Sequence, residues 1–207
     1  MDNSLTDINS SIDHINEISA WVSSVQDLDQ LLELIIETAT RMMDAKASSL
    51  LLLDRKTQKL YFKVATGSKG TDIKQFEIDL GQGIAGYVAA RGEAIMVNDT
   101  EKSSHFFPMI DGVSGFTTRS ALCVPMISQG RVIGVIEVLN KINGEFDTED
   151  KDLLQSIATS VCIALENARL YKETVSMAEQ ERDIRHMFQK FVPKEVLDKI
   201  IYDSEND

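Results

Sequence analysis

The chain has 207 residues, 43% of them apolar and 26% charged, enough to bury one good core with helical extensions and too little for two comfortable domains. Its 33 acidic against 21 basic residues leave a formal charge of −12, with no dense Lys/Arg stripe, so contact with nucleic-acid phosphates or anionic lipid is opposed. The opening MDNSLTDINSSID is acidic where a signal peptide needs a basic start, and no run approaches the ~20 apolar residues of a membrane span; a cytoplasmic location is expected.

Leu5, Ile8, Ile12, Ile15 and Val22 form a narrow stripe at helical spacing, suited to a partner helix. A second helix is predicted through Leu28, Leu31, Leu32, Ile35, Ile36, Ala39, Met42 and Met43, with Asp27 as its N-cap and a wider apolar face for a sheet. Ser48 to Leu53 and Lys59 to Ala65 read as a hairpin around the charged turn DRKT. Phe76, Ile78 and Leu80 alternate; Gly81 and Gly83 turn the chain into a short helix, Ile84 to Ala90, and a brief strand follows at Ile95 to Val97.

Asp99 to Thr118 lacks periodicity and is expected to be a long functional loop. SALCVPMI and RVIGVIEVLNK, joined by SQGR, are two further strands. From Thr148 a heptad seam runs through Leu154, Ile157, Val161, Ala164, Ala168, Tyr171, Val175 and Ala178. Up to about Leu165 it is expected to cover the sheet, and beyond that to meet the same helix of a second subunit in a parallel homodimer through the terminal helices.

The chain has two cysteines, Cys123 and Cys162, both among apolar neighbours and read as inert core residues. The three histidines, His14, His105 and His186, show no metal-ligand spacing, so no metal is expected.

This order of elements, with SSLLLLD, LGQGIAGYVA, GFTTRSALCVPM and VIGVIEVLNK, resembles the regulatory GAF domains of cyclic-nucleotide phosphodiesterases and of bacterial adenylyl cyclases. The resemblance covers roughly Leu28 to Tyr171. It implies an α+β fold: an antiparallel sheet of about five to six strands with helices on one face, flanked by long N- and C-terminal dimerisation helices. The expected divisions are a dimerisation helix at 1–24, a GAF domain at 25–170 and a signalling helix at 171–207 that begins a linker to an output domain.

The family signature is Asn-Lys, then Phe, three residues, and Asp-Glu. Asn140, Lys141, Phe146 and Asp150 match it, whereas Lys151 stands in place of the Glu. Lys141 ends a strand and Asp150 opens a helix, so an ion pair between them is expected to act as a structural clasp. A second segment, MFQKFVPKEVLDKI (Met187 to Ile200), resembles the stretch preceding the catalytic domain of bacterial class III nucleotide cyclases. The chain is therefore read as a non-catalytic regulatory part of a nucleotide cyclase.

A cyclic nucleotide needs partners for a phosphate, a ribose hydroxyl and a base edge. GQGIAG supplies close backbone approach and a helix N-terminus, and by resemblance Ile84 and Ala85 meet the phosphate. Thr118 matches a ligand-contacting threonine; Ser114 and Phe116 precede it at alternate positions, on one side of the chain if the segment is extended. Ser49 and Asp111 match base-edge positions, Phe107 is placed to stack on the base, and Glu137, alone in an apolar strand, to accept a ribose hydroxyl. Solvated readings of Asp111 and Glu137 stay open. Where relatives often carry Phe-Asp after the second strand, this chain has Ala65 and Thr66.

The expected function is a cyclic-nucleotide sensor, cAMP ahead of cGMP because the downstream segment resembles a cyclase, with no other cofactor. The alternatives are a ligand-free dimerisation and relay module and a sensor of a different small molecule. A sulfoxide reductase on this fold would need several cysteines around the pocket.

Overall fold

The computed structural model describes residues 25–67 and 73–191. The expected first helix at 1–24 and the residues from 192 onward, with most of the cyclase-like segment, lie outside the described residues.

Helix α1 (Val25–Met42) buries Leu32, Ile36 and Ala39, with Met43 just past its end, at most 1% exposed. Their three- and four-residue spacing makes one continuous stripe. Strand β1 (Ala45–Asp54) is longer at both ends than expected and turns into β2 (Lys59–Ala65). The Asp54 carboxylate closes that turn, accepting the Lys56 and Thr57 N–H groups at 2.7 and 3.2 Å, and these bonds hold its carboxyl below the ordinary range. Strand β3 (Glu77–Asp79), helix α2 (Gly83–Arg91) and strand β4 (Ile95–Val97) follow. The expected structureless loop contains a 3₁₀ turn (Thr100–Lys102) and a short helix α3 (Met109–Ser114) before β5 (Ala121–Ser128), β6 (Arg131–Lys141) and α4 (Thr148–Phe191).

The six strands form one antiparallel sheet in the order β3-β2-β1-β6-β5-β4. Because side chains alternate along a strand, β1, β5 and β6 each feed two cores. Leu50, Leu122, Val124, Met126, Ile136 and Val138 meet α1 and the first part of α4, where Leu154, Ala158 and Val161 are buried. Leu51, Ala121, Cys123 and Val135 meet α2 through Ile84, Ala85, Val88 and Ala89. Helices on one face describes α1 and α4; the short α2 covers the opposite face.

By its contacts the chain divides into a unit through Leu165 and a second from Glu166. In the second, Arg169 bridges Glu166 and Glu173 on successive turns at 2.7 and 3.3 Å, while Leu170, Tyr171, Val175 and Ile184 are exposed.

Candidate functional site

On the α2 face lies a largely apolar cavity of about 100 Å³. That is more space than a single water needs. Its floor is the sheet: Ala47 from β1, Phe62 from β2, Ala121 from β5, and Glu137 and Leu139 from β6. Phe106, Phe107, Ile110, Asp111, Phe116 and Thr118 roof it, and Gly83, Ile84 and Ala85 close one end. The Gly86 N–H makes its helical bond to Gln82 at 3.1 Å, and Gln82 gives no side-chain cap. The Ile84 and Ala85 amides thus belong to the first turn, whose N–H groups have no helical acceptor and carry the positive end of the helix dipole.

Two carboxylates enter this apolar space. Glu137 Oε1 accepts the Ser49 hydroxyl at 2.6 Å, across the β1–β6 pairing that sets the two residues opposite each other. Burial pushes the Glu137 carboxyl above its ordinary value of 4.5; the Ser49 hydroxyl offsets part of that, and the charge of Asp111 adds to it. Asp111 is engaged by Thr118, accepting its N–H at 2.6 Å and its hydroxyl at 2.8 Å. This pair ties α3 to the strand that follows, so the roof is held shut by an internal contact.

Ile84, Ala85, Phe107, Asp111, Phe116, Thr118 and Glu137 therefore line one cavity. Three expected arrangements change. Ser49 donates to Glu137 and is not among the residues that line the cavity. Thr118 and Asp111, expected to serve different parts of a ligand, bond each other. Ser114 is not in an extended run with Phe116 and Thr118: it ends α3, and Gly115 follows in the left-handed region at φ 67°, where a side chain would be strained. Residues not singled out from the sequence also contribute. Leu139 was legible as the same-face neighbour of Glu137, whereas Phe106 and Ile110 sit in a segment with no period to follow.

The signature residues hold this architecture from outside the cavity. Asn140, at φ 60°, accepts the Arg119 and Ser120 N–H groups at 2.6 and 3.2 Å and donates to the Thr117 carbonyl at 2.7 Å. It thereby fixes the segment that carries Thr118. Lys141 donates to Asp150, both side chains largely buried at 15 and 12% exposure. Asp150 also accepts the Asp147 N–H at 3.1 Å while Asp147 accepts the Asp150 N–H at 2.9 Å, a reciprocal cap at the start of α4. The Asp150 N–H, with that of Glu149, holds the Asp147 carboxyl below the ordinary range. Phe146 is 2% exposed and exchanges two hydrogen bonds with Asn98 at 2.9 and 3.0 Å. The Lys151 N–H makes the ordinary helical bond to the Asp147 carbonyl, at 3.1 Å.

Comparison with known proteins agrees with this geometry: the family model described as GAF domain matches residues 25–166. The chain belongs to the GAF family. Over 166 residues this GAF domain is 31% identical to the probable 3′,5′-cyclic phosphodiesterase pde-5 of Caenorhabditis elegans, covering 76% of this chain and 23% of that protein. It is 32% identical to the dual 3′,5′-cyclic-AMP and -GMP phosphodiesterase 11A of Takifugu rubripes, covering 75% of this chain and 18% of that protein. The chain thus spans less than a quarter of the length of these relatives.

Among solved structures, the GAF domain of an Acinetobacter phosphoenolpyruvate-protein phosphotransferase superposes with a TM-score of 0.62 at 22% identity, covering 84% of this chain and 99% of that one. Free methionine-R-sulfoxide reductase from Neisseria meningitidis gives 0.61 at 21% identity, over 75% and 87% of the two chains. At such identities these likenesses concern the fold alone. The two cysteines of this GAF domain lie in the two opposite cores. Burial pushes both thiols up, Cys123 well above its ordinary value, which disfavours the reactive thiolate. Among the described residues no helix is long and apolar enough to cross a membrane, and no cluster of metal-ligating side chains is present.

Proposed function

We propose that this GAF domain is a regulatory module that binds a cyclic nucleotide, cAMP ahead of cGMP, in the cavity under α2 and α3. The observation that carries the reading is the convergence of Ile84, Ala85, Phe107, Asp111, Phe116, Thr118 and Glu137 on one cavity. The first-turn amides of α2 suit the phosphate, the aromatic side chains of the roof suit a base, and the carboxylates suit hydroxyl or amine donors. Relatives whose names specify cyclic-nucleotide phosphodiesterases support the ligand class.

In this reading residues 1–24 form a dimerisation helix, 25–170 the sensor, and 171–207 a signalling helix leading to a class III cyclase output. The module works as a parallel homodimer in the cytoplasm, without touching nucleic acid or membrane. Exposed Leu170, Tyr171, Val175 and Ile184 support a helical partner surface, and the cAMP preference rests on the cyclase-like Met187 to Ile200 segment. The test is thermal melting of the purified domain with each nucleotide, since a ligand of the folded state raises the melting temperature by mass action. The expected result is a saturable rise, larger with cAMP, and light scattering is expected to give twice the monomer mass. No rise with either nucleotide at millimolar concentration overturns the ligand assignment.

A second reading has its own support: the Asp111–Thr118 contact closes the roof without help from a ligand. A ligand-free dimerisation and relay module would leave melting unchanged by any nucleotide while retaining the dimer. The names of the relatives also favour a phosphodiesterase as an alternative output domain.

A further inference from the structure

Thr66, the residue that follows β2, belongs to two regions at once. It lines the cavity, and its hydroxyl is packed into a cluster at the other face of the sheet with Ser48 and Thr40, the latter from α1. Thr66 Oγ1 accepts the Ser48 N–H at 2.9 Å and donates to the Ser48 carbonyl at 3.1 Å; the Thr40 and Ser48 hydroxyls each stand 3.2 Å away. Those two hydroxyls are in close contact with each other, and both reach the Ile36 carbonyl of α1, at 2.8 Å from Thr40 and 3.1 Å from Ser48. Ser48 is 2% exposed, so the cluster is shielded from competing water.

A threonine hydroxyl has one proton and two lone pairs. Here the proton and one lone pair are committed to Ser48, which leaves one lone pair for either Thr40 or Ser48. Either Thr40 donates to it and Ser48 donates to the Ile36 carbonyl, or Ser48 donates to it and Thr40 donates to that carbonyl. The cluster thus has two discrete hydrogen-bond patterns that differ at the last turns of α1. Packing adds to the connection: Gly67 lies so close to β1 that a Cβ there would stand 3.0 Å from Ala47 Cβ and from the Lys46 carbonyl.

We propose that Thr66 is the coupling residue through which occupation of the cavity is communicated, by way of Ser48 and Thr40, to helix α1. The proposal rests on the ligand reading above, and its test separates the two. Backbone amide hydrogen exchange is followed on the whole chain with and without saturating cAMP or cGMP. In the wild type, ligand is expected to slow exchange by about threefold or more both at α2 and at residues 36–42 of α1. Thr40→Val, which removes the hydroxyl and keeps the shape, is expected to bind with affinity within about twofold of wild type and to protect α2, while residues 36–42 no longer respond; Thr40→Ser is expected to restore the response. Binding without any response at 36–42, or a response undiminished in Thr40→Val, overturns the link.

The link also has a ligand-free signature. Thr66→Val is expected to speed exchange at 36–42 in the apo protein, with Thr66→Ser close to wild type. Unchanged exchange there in Thr66→Val overturns the link, and should Thr66→Val fail to fold, the wild-type and Thr40 measurements decide it. Absence of nucleotide protection anywhere, with this apo signature intact, refutes the nucleotide and leaves the link standing.

Discussion

Strand β6 serves two faces with opposite demands. Ile136 and Val138 point into the α1–α4 core and are fully buried among aliphatic neighbours. Glu137 and Leu139, one residue out of phase, floor the cavity. On the first face two long helices satisfy the sheet with hydrocarbon. On the second a short helix and a roof of aromatic side chains leave space, and the polar groups beside it are held by specific hydrogen bonds. The same alternation thus gives one face filled with hydrocarbon and one that keeps a cavity.

The largest effect is expected on the sealed face. Leu154→Ala should lower stability by about 2–5 kcal/mol, because the emptied volume is surrounded by buried side chains and cannot collapse fully. Nucleotide affinity of the folded fraction should stay near wild type, read by denaturant unfolding and titration together. Lys141→Ala crosses the divide: it removes the partner of a largely buried Asp150 and should cost about 2–3 kcal/mol. Since the neighbouring Asn140 fixes Thr117 to Ser120, affinity should fall with stability. Loss of affinity at unchanged stability would mean that Lys141 touches ligand directly.

On the cavity face the balance reverses. Thr118→Val should cost only about 1 kcal/mol of stability through the lost bond to Asp111, yet weaken nucleotide binding about tenfold. Equal binding would remove Thr118 from the site.

The smallest effect is one of pH. A carboxyl whose value is raised by folding binds more protons in the native than in the unfolded state, so its contribution to stability declines as pH rises from 4.5 through its raised native value. Glu137→Gln keeps the acceptor for Ser49 and removes the charge. Its unfolding free energy should therefore vary less with pH over that window and match or exceed wild type at pH 7. A steeper dependence in the variant would contradict the burial of Glu137.

Much of this was legible from residue periodicity, and for definite reasons. Leu32, Ile36 and Ala39 repeat at helical spacing, and strands β2, β4 and β6 announce their limits through β-branched runs and turn residues. Glu137 stood out as the one charge between the two ends of an otherwise apolar strand. What the residues did not show depended on pairing between distant segments. Ser49 meets Glu137 only through the β1–β6 register, Asn98 meets Phe146 across 48 positions, and the Asp111–Thr118 bond needs the short helix that Gly115 ends. The interval from Asp99 to Thr118 carries no period of two or 3.6, so α3 was not visible, and Ser114 was misplaced with it. Thr66 looked like a loss because the expected ring and carboxylate were absent; its role in the Ser48 and Thr40 cluster appears only when β2 and α1 are brought together.

The central claim is that the α2 face of the sheet is a cyclic-nucleotide site. Calorimetric titration of the purified domain with cAMP and with cGMP tests it most directly. The expected result is a saturable isotherm with one site per chain, tighter for cAMP and weakened about tenfold by Thr118→Val. A flat trace with both nucleotides at millimolar concentration, from protein whose melting shows it folded, would contradict it.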